Sequence, residues 1–276
     1  MEELRHSLIL YAYNILGSYE EAKDVVQDVY LKMTQVDQSM IRDQKLYLIR
    51  MTINLAIDQK RRQQKQRDNY PGQWLPEPIA TESADSSLHR KEILSYSLMI
   101  LLEKLDPKQR AVFILKEAFD YDHDEIATLL GITVDNSRKL LSRARVDLKE
   151  TASPDRKVQR DLVEQYMRVL EQHDVKGLEK LLTDQITVVS DGGGKATAFM
   201  NPVHGVKSVV SLLQGLYKKS YSKAESQFGW VNHEPALFYY HDGILATIQI
   251  FQIENERIVN IFYIRNPDKM NLFKKD

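Results

Sequence analysis

The sequence contains no cysteine, and glycine, proline and tryptophan are sparse, at 11, 8 and 2 of 276 residues. The lack of cysteine excludes disulfides, thiolate metal ligands and thiol catalysis, and it is typical of a reducing compartment. No apolar run is long enough to span a bilayer and no basic-plus-apolar leader is present, which predicts a cytoplasmic protein without a membrane partner. The net charge of -1 argues against an indiscriminately basic nucleic-acid binder.

The length of the chain permits two or three domains, and its composition suggests where they divide. Helical periodicity predicts one helical domain over residues 1–69 and another over 88–152. Between them, residues 70–87 read "YPGQWLPEPIATESADSS", whose proline, serine and threonine content is typical of a linker. A domain of different character is predicted over residues 156–276.

This last domain combines helical and strand-like patterns. Helices are predicted over 157–172 and 205–219, whereas five segments are rich in β-branched and aromatic residues: "QITVVSD", "KAESQFGWVN", "ALFYYHDG", "ILATIQIFQIEN" and "RIVNIFYIRN". Turn signals at 241–243 and 254–256 would join the last three segments into an antiparallel meander. The expected fold is therefore two all-α domains followed by an α+β domain, with helices first and a curved antiparallel sheet after them.

The stretch "DHDEIATLLGITVDNSRKLLSRAR" contains two short helical patterns separated by one glycine. Gly131 can supply the positive φ that ends a helix, and Thr133 can cap the next one. This spacing predicts a helix-turn-helix whose second helix is suited to the DNA major groove. The alternative is an ordinary helical hairpin with a solvated basic face.

Three segments together carry a family resemblance. The strings "EEAKDVVQDVYLK", "YLIRMTINLAIDQKRR" and "LDPKQRAVFILKEAFDYDHDEIATLLGITVDNSRKLLSRAR" resemble regions 2 and 4 of the extracytoplasmic-function sigma factors of the sigma-70 family. These bacterial initiation subunits bind the RNA polymerase core enzyme and direct it to promoter DNA. The resemblance implies the same function here, with the minus-ten element read by region 2 and the minus-thirty-five element by region 4.

Shorter strings sharpen the resemblance. "WLPEP" at 74–78, "DGGGK" at 191–195 and "NPDKM" at 266–270 resemble the signatures of a sigma-factor subgroup with a fused SnoaL-like domain, a cone-shaped α+β fold also used by polyketide cyclases. That resemblance implies regulation in cis by the C-terminal domain. Two positions depart from the usual pattern: Met270 replaces leucine, and Ser137 replaces the valine found in many sigma factors.

The resemblance assigns three sets of site residues. The set for the core polymerase forms one helical stripe, which could also be a solvated acidic face: Asp24, Gln27, Asp28 and Leu31. The set for the minus-ten element would contact phosphates and an unstacked base, or could merely offset a helix dipole: Arg50, Asn54, Lys60, Arg61 and Arg62. The set for the minus-thirty-five element lies on the second helix of the helix-turn-helix: Asn136, Arg138, Lys139, Ser142 and Arg143.

A fourth set is expected to mediate interdomain regulation: Trp74, Leu75, Pro76, Asp191, Gly192, Gly193, Gly194, Lys195, Asn266, Pro267, Asp268 and Lys269. The glycine run lacks the spacing of either common nucleotide-binding loop and favours a permissive turn. The alternative for 74–78 is a solvated linker with one stray tryptophan.

Catalysis has little support in the sequence. His204, His233, His241 and Asp242 are acid-base residues by type, but they form no recognisable constellation. We therefore predict no catalytic residues, no metal and no cofactor, while a C-terminal pocket could hold an unidentified small molecule. The other functions considered are a helix-turn-helix repressor with a ligand-sensing domain and a bifunctional cyclase.

Overall fold

The computed structural model describes residues 2–37, 39, 41–81, 92–148 and 154–273. The chain forms two compact units, one of Met1–Asp68 with Ala84–Lys149 and the other of Asn69–Ser83 with Glu150–Asp276. The two helical regions thus share one unit, and the first part of the predicted linker belongs with the C-terminal region. The remainder of that linker, residues 82–87, lies outside the described residues, as do 88–91 and 149–152 of the second predicted helical domain.

The helical unit is built around its first helix, which is buried from Leu8 to Leu16 and packs against the second, third and fifth helices. Side-chain caps fix the starts of several helices; Asp43, for example, accepts a hydrogen bond from the Leu46 amide at 2.9 Å. In chain order the helices are α1 (Glu2–Leu16), α2 (Tyr19–Met33), α3 (Gln44–Gln66), α4 (Tyr96–Leu101), α5 (Pro107–Glu117), α6 (His123–Leu130) and α7 (Val134–Asp147).

The predicted helix-turn-helix is confirmed in its local chemistry. Gly131 has φ 62° and ψ 43°, the left-handed conformation that ends α6. Thr133 then accepts a hydrogen bond from the Asn136 amide at 3.2 Å, which caps α7. Ser137, the departure from the family's valine, is fully buried, and its hydroxyl lies 2.9 Å from His123 Nδ1. This serine therefore joins the two helices across the turn and is not exposed to DNA.

The C-terminal unit packs helices against a six-stranded sheet in the order β2-β1-β6-β5-β4-β3. The β1–β6 pair is parallel, whereas all other neighbouring strands are antiparallel. A π-helical turn follows α10 at Tyr217–Tyr221, and a 3-10 helix covers Pro267–Phe273. The elements are α8 (Arg156–Glu171), α9 (Val175–Leu181), β1 (Leu182–Asp191), β2 (Val203–His204), α10 (Val206–Leu216), β3 (Glu225–Val231), β4 (Glu234–His241), β5 (Ile244–Glu254) and β6 (Arg257–Ile264).

The predicted meander of β4, β5 and β6 is confirmed, with positive φ at Asp242 and Gly243 in one turn and at Asn255 and Glu256 in the next. The strand-like segment "QITVVSD" forms most of β1, which precedes α10 and pairs in parallel with β6, so the expected order of helices before the sheet holds for α8 and α9 but not for α10. Parallel strands need a long crossover, which here consists of everything between β1 and β6. Hairpin chemistry in the sequence does not reveal such a pairing.

The core of the C-terminal unit lies between the helices and one face of the sheet. Val163 and Leu170 from α8 and Leu213 from α10 are buried with Val188 and Phe251 from the strands. The unit is therefore an α+β domain, as the sequence predicted. Within the described part of the chain, no helix is long and apolar enough to cross a membrane.

Candidate nucleic-acid interface and linker-binding site

The outer face of α7 carries the predicted minus-thirty-five residues, and all of them are exposed: Asn136, Arg138, Lys139, Ser142 and Arg143. On the opposite side of the same helix, Leu141 and Ala144 are buried against the rest of the unit. Arg138 forms an exposed ion pair with Asp135 at 3.6 Å, and its side chain remains 63% exposed, so its guanidinium group is accessible to a ligand. The helix can therefore present donors to phosphates and base edges.

The outer face of α3 carries most of the predicted minus-ten residues. Arg50, Asn54, Arg61 and Arg62 are exposed, and Asn54 Nδ2 donates to the Arg50 carbonyl at 2.8 Å. A surface cavity of about 290 Å³ lies along this face, lined by Tyr47, Arg50, Met51, Asn54, Leu55 and Asp58. An aromatic ring beside an arginine and an amide is a suitable environment for one unstacked base.

The structure corrects the prediction for Lys60. Its side chain is buried, and its Nζ donates to the Leu16 carbonyl at 2.7 Å and to the Glu103 carboxylate at 2.9 Å. Position 60 follows Ile53, Ala56 and Ile57 at helical spacing, so it lies on the inner face of α3. Its donors are used inside the helical unit, and it offers no DNA contact in this conformation.

Glu103 is the centre of a buried charge cluster that the sequence did not suggest. Its carboxylate binds Lys60, Arg67 and Arg110, and Arg110 also donates from Nε to the Asn14 carbonyl at 2.8 Å. Burial alone would raise the pKa of Glu103, but attraction to Arg110, Lys60 and Arg67 outweighs it and lowers the pKa to about 2.

The same cluster acts differently on the cations. Burial, followed by repulsion from Arg110, lowers the pKa of Lys60 well below its ordinary value despite the attraction of Glu103. The Glu103 carboxylate is attracted by three cations, whereas Lys60 is attracted by one carboxylate and repelled by Arg110 and Arg67. The cluster therefore stabilises the charged form of Glu103 more than that of Lys60. The charges of Lys60, Arg67 and Arg110 are therefore all compensated by Glu103.

Further contacts tie the two helical regions of this unit together. The Tyr11 and Tyr121 hydroxyls are 2.9 Å apart, and the Tyr11 ring stacks on Phe119 with 3.9 Å between centroids. Thr128 and Leu129 of α6 help to line a second cavity with Tyr47 and Arg50. The proposed minus-ten face of α3 is therefore partly covered by the first helix of the helix-turn-helix.

The predicted polymerase-binding residues form one exposed stripe along α2: Asp24, Gln27, Asp28 and Leu31. The opposite face is buried through Ala22, Val25, Val26 and Val29. Leu31 keeps 55% of its surface exposed although it is a large apolar side chain. The stripe thus combines an acidic surface with one apolar contact point.

A different site forms in the C-terminal unit around Asp191, whose side chain is fully buried. Its carboxylate accepts hydrogen bonds from the Tyr70 hydroxyl at 2.6 Å and the Leu75 amide at 2.9 Å. It also accepts from the Gly193 amide at 3.0 Å and pairs with Lys269 Nζ at 2.6 Å. One carboxylate therefore joins the linker segment to two separate parts of the C-terminal chain.

Lys269 completes this site from the 3-10 helix. Its ammonium group lies 4.2 Å from the centre of the Trp74 ring and 5.2 Å from that of Tyr70, and it also donates to the Leu75 carbonyl. Asn266 Nδ2 donates to the Tyr70 hydroxyl at 3.2 Å. Burial, and next the hydrogen bond to Asp191, raise the pKa of Tyr70, which keeps its phenol protonated as a donor.

The structure thus brings residues of all three short motifs together, with the glycine run shaping the turn beside them. Gly193 has φ 59°, and a Cβ atom there would lie 2.2 Å from Asn266 Nδ2. A Cβ atom on Gly192 would lie 2.2 Å from the Ala196 carbonyl oxygen. Pro76 is buried in the linker segment, whereas Lys195 and Asp268 form an exposed ion pair at 2.5 Å.

The linker segment is also bound farther along, which sequence reasoning missed. The Ile79 amide donates to Asn232 Oδ1 and the Asn232 amide donates to the Ile79 carbonyl, both at 2.9 Å. The Thr81 amide donates to the Trp230 carbonyl at 3.0 Å, next to an isolated antiparallel bridge between Ala80 and Val231. Most of these bonds use backbone atoms, so no side-chain signature marks them.

The candidate acid-base residues are not brought together. His233 lies in the β3–β4 turn, while His241 ends β4 and Asp242 begins the β4–β5 turn at the other end of that strand. His204 is exposed on β2, with its Nδ1 atom 3.1 Å from the Thr187 hydroxyl. Among the described residues, no group of three histidine, aspartate or glutamate side chains is placed to hold a metal ion.

Two protein-family models match the helical unit. The family model for sigma-70 region 2 matches residues 1–66, and the model for sigma-70 region 4 matches residues 97–148. The helical unit is therefore that of a sigma-70-type promoter-specificity factor.

Individual relatives extend the match to the C-terminal unit. The ECF RNA polymerase sigma factor SigJ of Mycobacterium tuberculosis is 29% identical over 97% of this chain and 91% of its own length. The crystal structure of the same organism's SigJ aligns with a TM-score of 0.79 and 27% identity, covering 98% of this chain and 96% of that one. The chain therefore contains sigma-70 regions 2 and 4 and is similar over nearly its whole length, including the C-terminal unit, to an extracytoplasmic-function sigma factor.

Proposed function

We propose that the C-terminal unit regulates in cis the promoter-specific initiation that this sigma factor performs, by holding the linker segment 69–81. The observation that carries the proposal is the buried Asp191 carboxylate, which binds Tyr70, Leu75 and Lys269 at once. A buried carboxylate needs hydrogen-bond donors, and here the linker supplies two of them. A linker that remained in solvent would leave those positions of Asp191 unsatisfied.

The exposed stripe on α2 is assigned to the RNA polymerase core enzyme. Its acidic residues suit a basic surface, and Leu31 adds an apolar contact. The outer faces of α3 and α7 are assigned to the minus-ten and minus-thirty-five elements, because both present exposed arginine and amide side chains on a helix. Core polymerase as a partner would place this activity in the bacterial cytoplasm.

The helical unit is proposed to be a closed state. The two promoter elements are separated by about 25 base pairs, or roughly 85 Å of B-DNA at about 3.4 Å per pair. In the closed unit α3 and the segment before α5 are in direct contact through Lys60 and Glu103 at 2.9 Å. The two DNA-reading faces cannot span both elements until this packing opens.

The linker segment limits how far the two regions can separate. Each residue released from the C-terminal unit adds at most about 3.3–3.6 Å of reach. Residues 69–81 follow α3 in the chain, so their release would lengthen the free tether between region 2 and region 4. Holding this segment therefore favours the closed state, and its release favours promoter binding.

The test is transcription in vitro by core polymerase with the full chain, with RNA 5′ ends mapped on fragmented genomic DNA of the source organism. Asp191→Asn removes the charge that binds Lys269, whereas Asp184→Asn changes an exposed residue of the same strand as a matched control. We expect the Asp191 variant to raise transcript yield several-fold at the same start sites and the control to match the wild type. Equal yields from all three proteins, with folding verified, would reject linker control.

No catalytic role is assigned to the C-terminal unit. The acid-base candidates of the sequence lie at three separate places, with His204 on β2, His233 in the β3–β4 turn, and His241 and Asp242 at the β4–β5 turn, so they do not converge on one site. A free-standing repressor would need no region 2 domain, which this chain contains over residues 1–66.

A further inference from the structure

A cavity of about 270 Å³ lies in the C-terminal unit, and two of its lining residues, Ser190 and Arg265, directly precede Asp191 and Asn266 of the linker-binding site. It is formed by the ends of β1 and β6, by the segment that follows β1, and by α10 with the π-helical turn after it. The residues used below are Ser190, Phe199, Leu216, Tyr221, Tyr263 and Arg265. Its volume is slightly under the roughly 300 Å³ at which drug-sized pockets begin, so it suits a small ligand.

Two of the residues that line this cavity each contain a buried polar atom without a hydrogen-bond partner among the described residues. Considering all the residues that the structure describes, neither Ser190 Oγ nor Arg265 Nε has a partner. Ser190 is 1% exposed, so bulk water does not reach its hydroxyl. Orphaned donors of this kind are uncommon in folded proteins and indicate an ordered water or a ligand.

The charge of Arg265 also lacks a counterion. Its Nη1 donates to the Thr197 carbonyl, a neutral group, and no described carboxylate forms an ion pair with it. Its charge acts on Tyr221 across the cavity: burial raises the pKa of that phenol, the hydrogen bond to Thr247 lowers it in part, and Arg265 lowers it further. The cavity is therefore electropositive at the end where Ser190 and Arg265 lie.

The rest of the wall is apolar or already satisfied. Phe199 and Leu216 contribute carbon surface, and the π-helical turn brings Tyr221 into the wall. The Tyr221 hydroxyl donates to Thr247, and the Tyr263 hydroxyl accepts from Gln249 at 2.8 Å. The polar groups without hydrogen-bond partners, on Ser190 and Arg265, thus lie at one end of the cavity, and the rest of its wall is aromatic and aliphatic.

We propose that this cavity binds a small organic carboxylate, with the anionic group on Arg265 and Ser190 and the apolar body against Phe199 and Leu216. A single guanidinium and one hydroxyl match the size and charge of one carboxylate. The apolar wall gives no donors to a second charged group, which disfavours a compact dianion such as inorganic phosphate.

The site is directly connected to the linker-binding site. Ser190 precedes Asp191 at the end of β1, and Arg265 precedes Asn266 after β6. The Arg265 and Asn266 amides both donate to the Asp191 carbonyl, at 2.8 and 2.9 Å, so a backbone shift caused by a ligand on Ser190 or Arg265 would reach Asp191 and Asn266. The claim that the ligand changes linker release rests on the proposed function. The claim that the cavity binds a carboxylate is independent of it.

Binding is tested by calorimetry on the full chain with benzoate, hexanoate and phenylacetate as probes, and with benzamide and inorganic phosphate for comparison. We expect at least one acid to bind, with benzamide and phosphate at least tenfold weaker. Arg265→Gln should weaken acid binding at least tenfold and Ser190→Ala several-fold, while Arg257→Gln, at an exposed arginine of β6, should bind like the wild type. Circular dichroism verifies folding of each variant.

Three results would overturn the proposal: no binding of any of the three acids to the wild type, equal binding of benzoate and benzamide, or undiminished binding in both the Arg265 and the Ser190 variants. The effect on the linker has its own readout. In Trp230→Phe the remaining tryptophan is Trp74, so its emission reports the linker-binding site. Acid binding should shift that emission; binding without a shift would reject the coupling and leave the site intact.

Discussion

At the scale of single residues, the stability of the closed helical unit depends on the charge cluster around Glu103. Glu103 is one anion among three cations, and two of these, Lys60 and Arg110, are fully buried. Removing one member of a buried charge cluster leaves the others uncompensated, which costs more than the intact cluster contributes. The sequence shows five basic residues in 60–67 but not that Lys60 faces inward, because the partner lies far along the chain.

Glu103→Gln should destabilise the helical unit by about 3–5 kcal/mol, because Lys60, Arg67 and Arg110 would lose their shared carboxylate. Hydrogen exchange of the α3 and α5 amides measures this change. Glu117→Gln serves as the control, since its ion pair with Arg145 is exposed and should contribute less than about 1 kcal/mol. Unchanged protection in the Glu103 variant would contradict the assigned role of the cluster.

The same residue predicts a pH dependence. Its pKa is lowered from 4.5 to about 2 in the folded chain, so its contribution is fully present above pH 4.5 and is lost as pH falls toward 2. Urea unfolding followed by circular dichroism should therefore show a smaller acid-induced loss of stability in Glu103→Gln than in the wild type. Parallel curves for the two proteins over this pH range would be inconsistent with the lowered pKa.

At the scale of elements, features set by local chemistry could be predicted from the sequence. Gly131 and Thr133 specify the turn between α6 and α7, and Asp242-Gly243 specifies a hairpin. The β1–β6 pairing and the bridge between Ala80 and Val231 could not be predicted, because backbone hydrogen bonds between distant segments leave no residue signature. The burial of Lys60 belongs to the same class of long-range effects.

The outer face of α3 should account for part of the salt dependence of promoter binding. Each phosphate contact contributes about 0.9 to the slope of log affinity against log salt. Arg62→Gln in the holoenzyme should therefore reduce the slope by about that amount, whereas Arg160→Gln on α8 should leave it unchanged. Filter binding of promoter DNA at several salt concentrations measures both, and an identical slope for Arg62→Gln would remove this residue from the interface.

The exposed stripe of α2 gives a prediction for polymerase binding. Leu31→Asp replaces the exposed apolar contact with a charge and should weaken affinity for core polymerase at least tenfold, or about 1.4 kcal/mol. Ile244→Asp is the matched control, because Ile244 is also highly exposed but lies in the β4–β5 hairpin of the other unit. Fluorescence anisotropy of labelled protein with core polymerase distinguishes the two; equal affinities would exclude the stripe.

At the scale of the whole molecule, the segments that match sigma-70 regions 2 and 4 pack against each other in one helical unit. Promoter elements roughly 85 Å apart require these regions to separate. The C-terminal unit binds residues 69–81 through Asp191, Lys269 and the bridge at Ala80, which in the proposed function limits the tether available for separation. Regulation then consists of changing how readily this segment is released.

The most direct measurement is the distance between the two helical regions. Because the chain has no cysteine, Lys65→Cys and Lys104→Cys can be spin-labelled specifically on either side of the closed packing, where both positions are exposed. Double electron–electron resonance should give a short distance in the free protein and a distance longer by tens of ångströms in the complex with core polymerase and promoter DNA. The same short distance in a transcriptionally active complex would contradict the closed state.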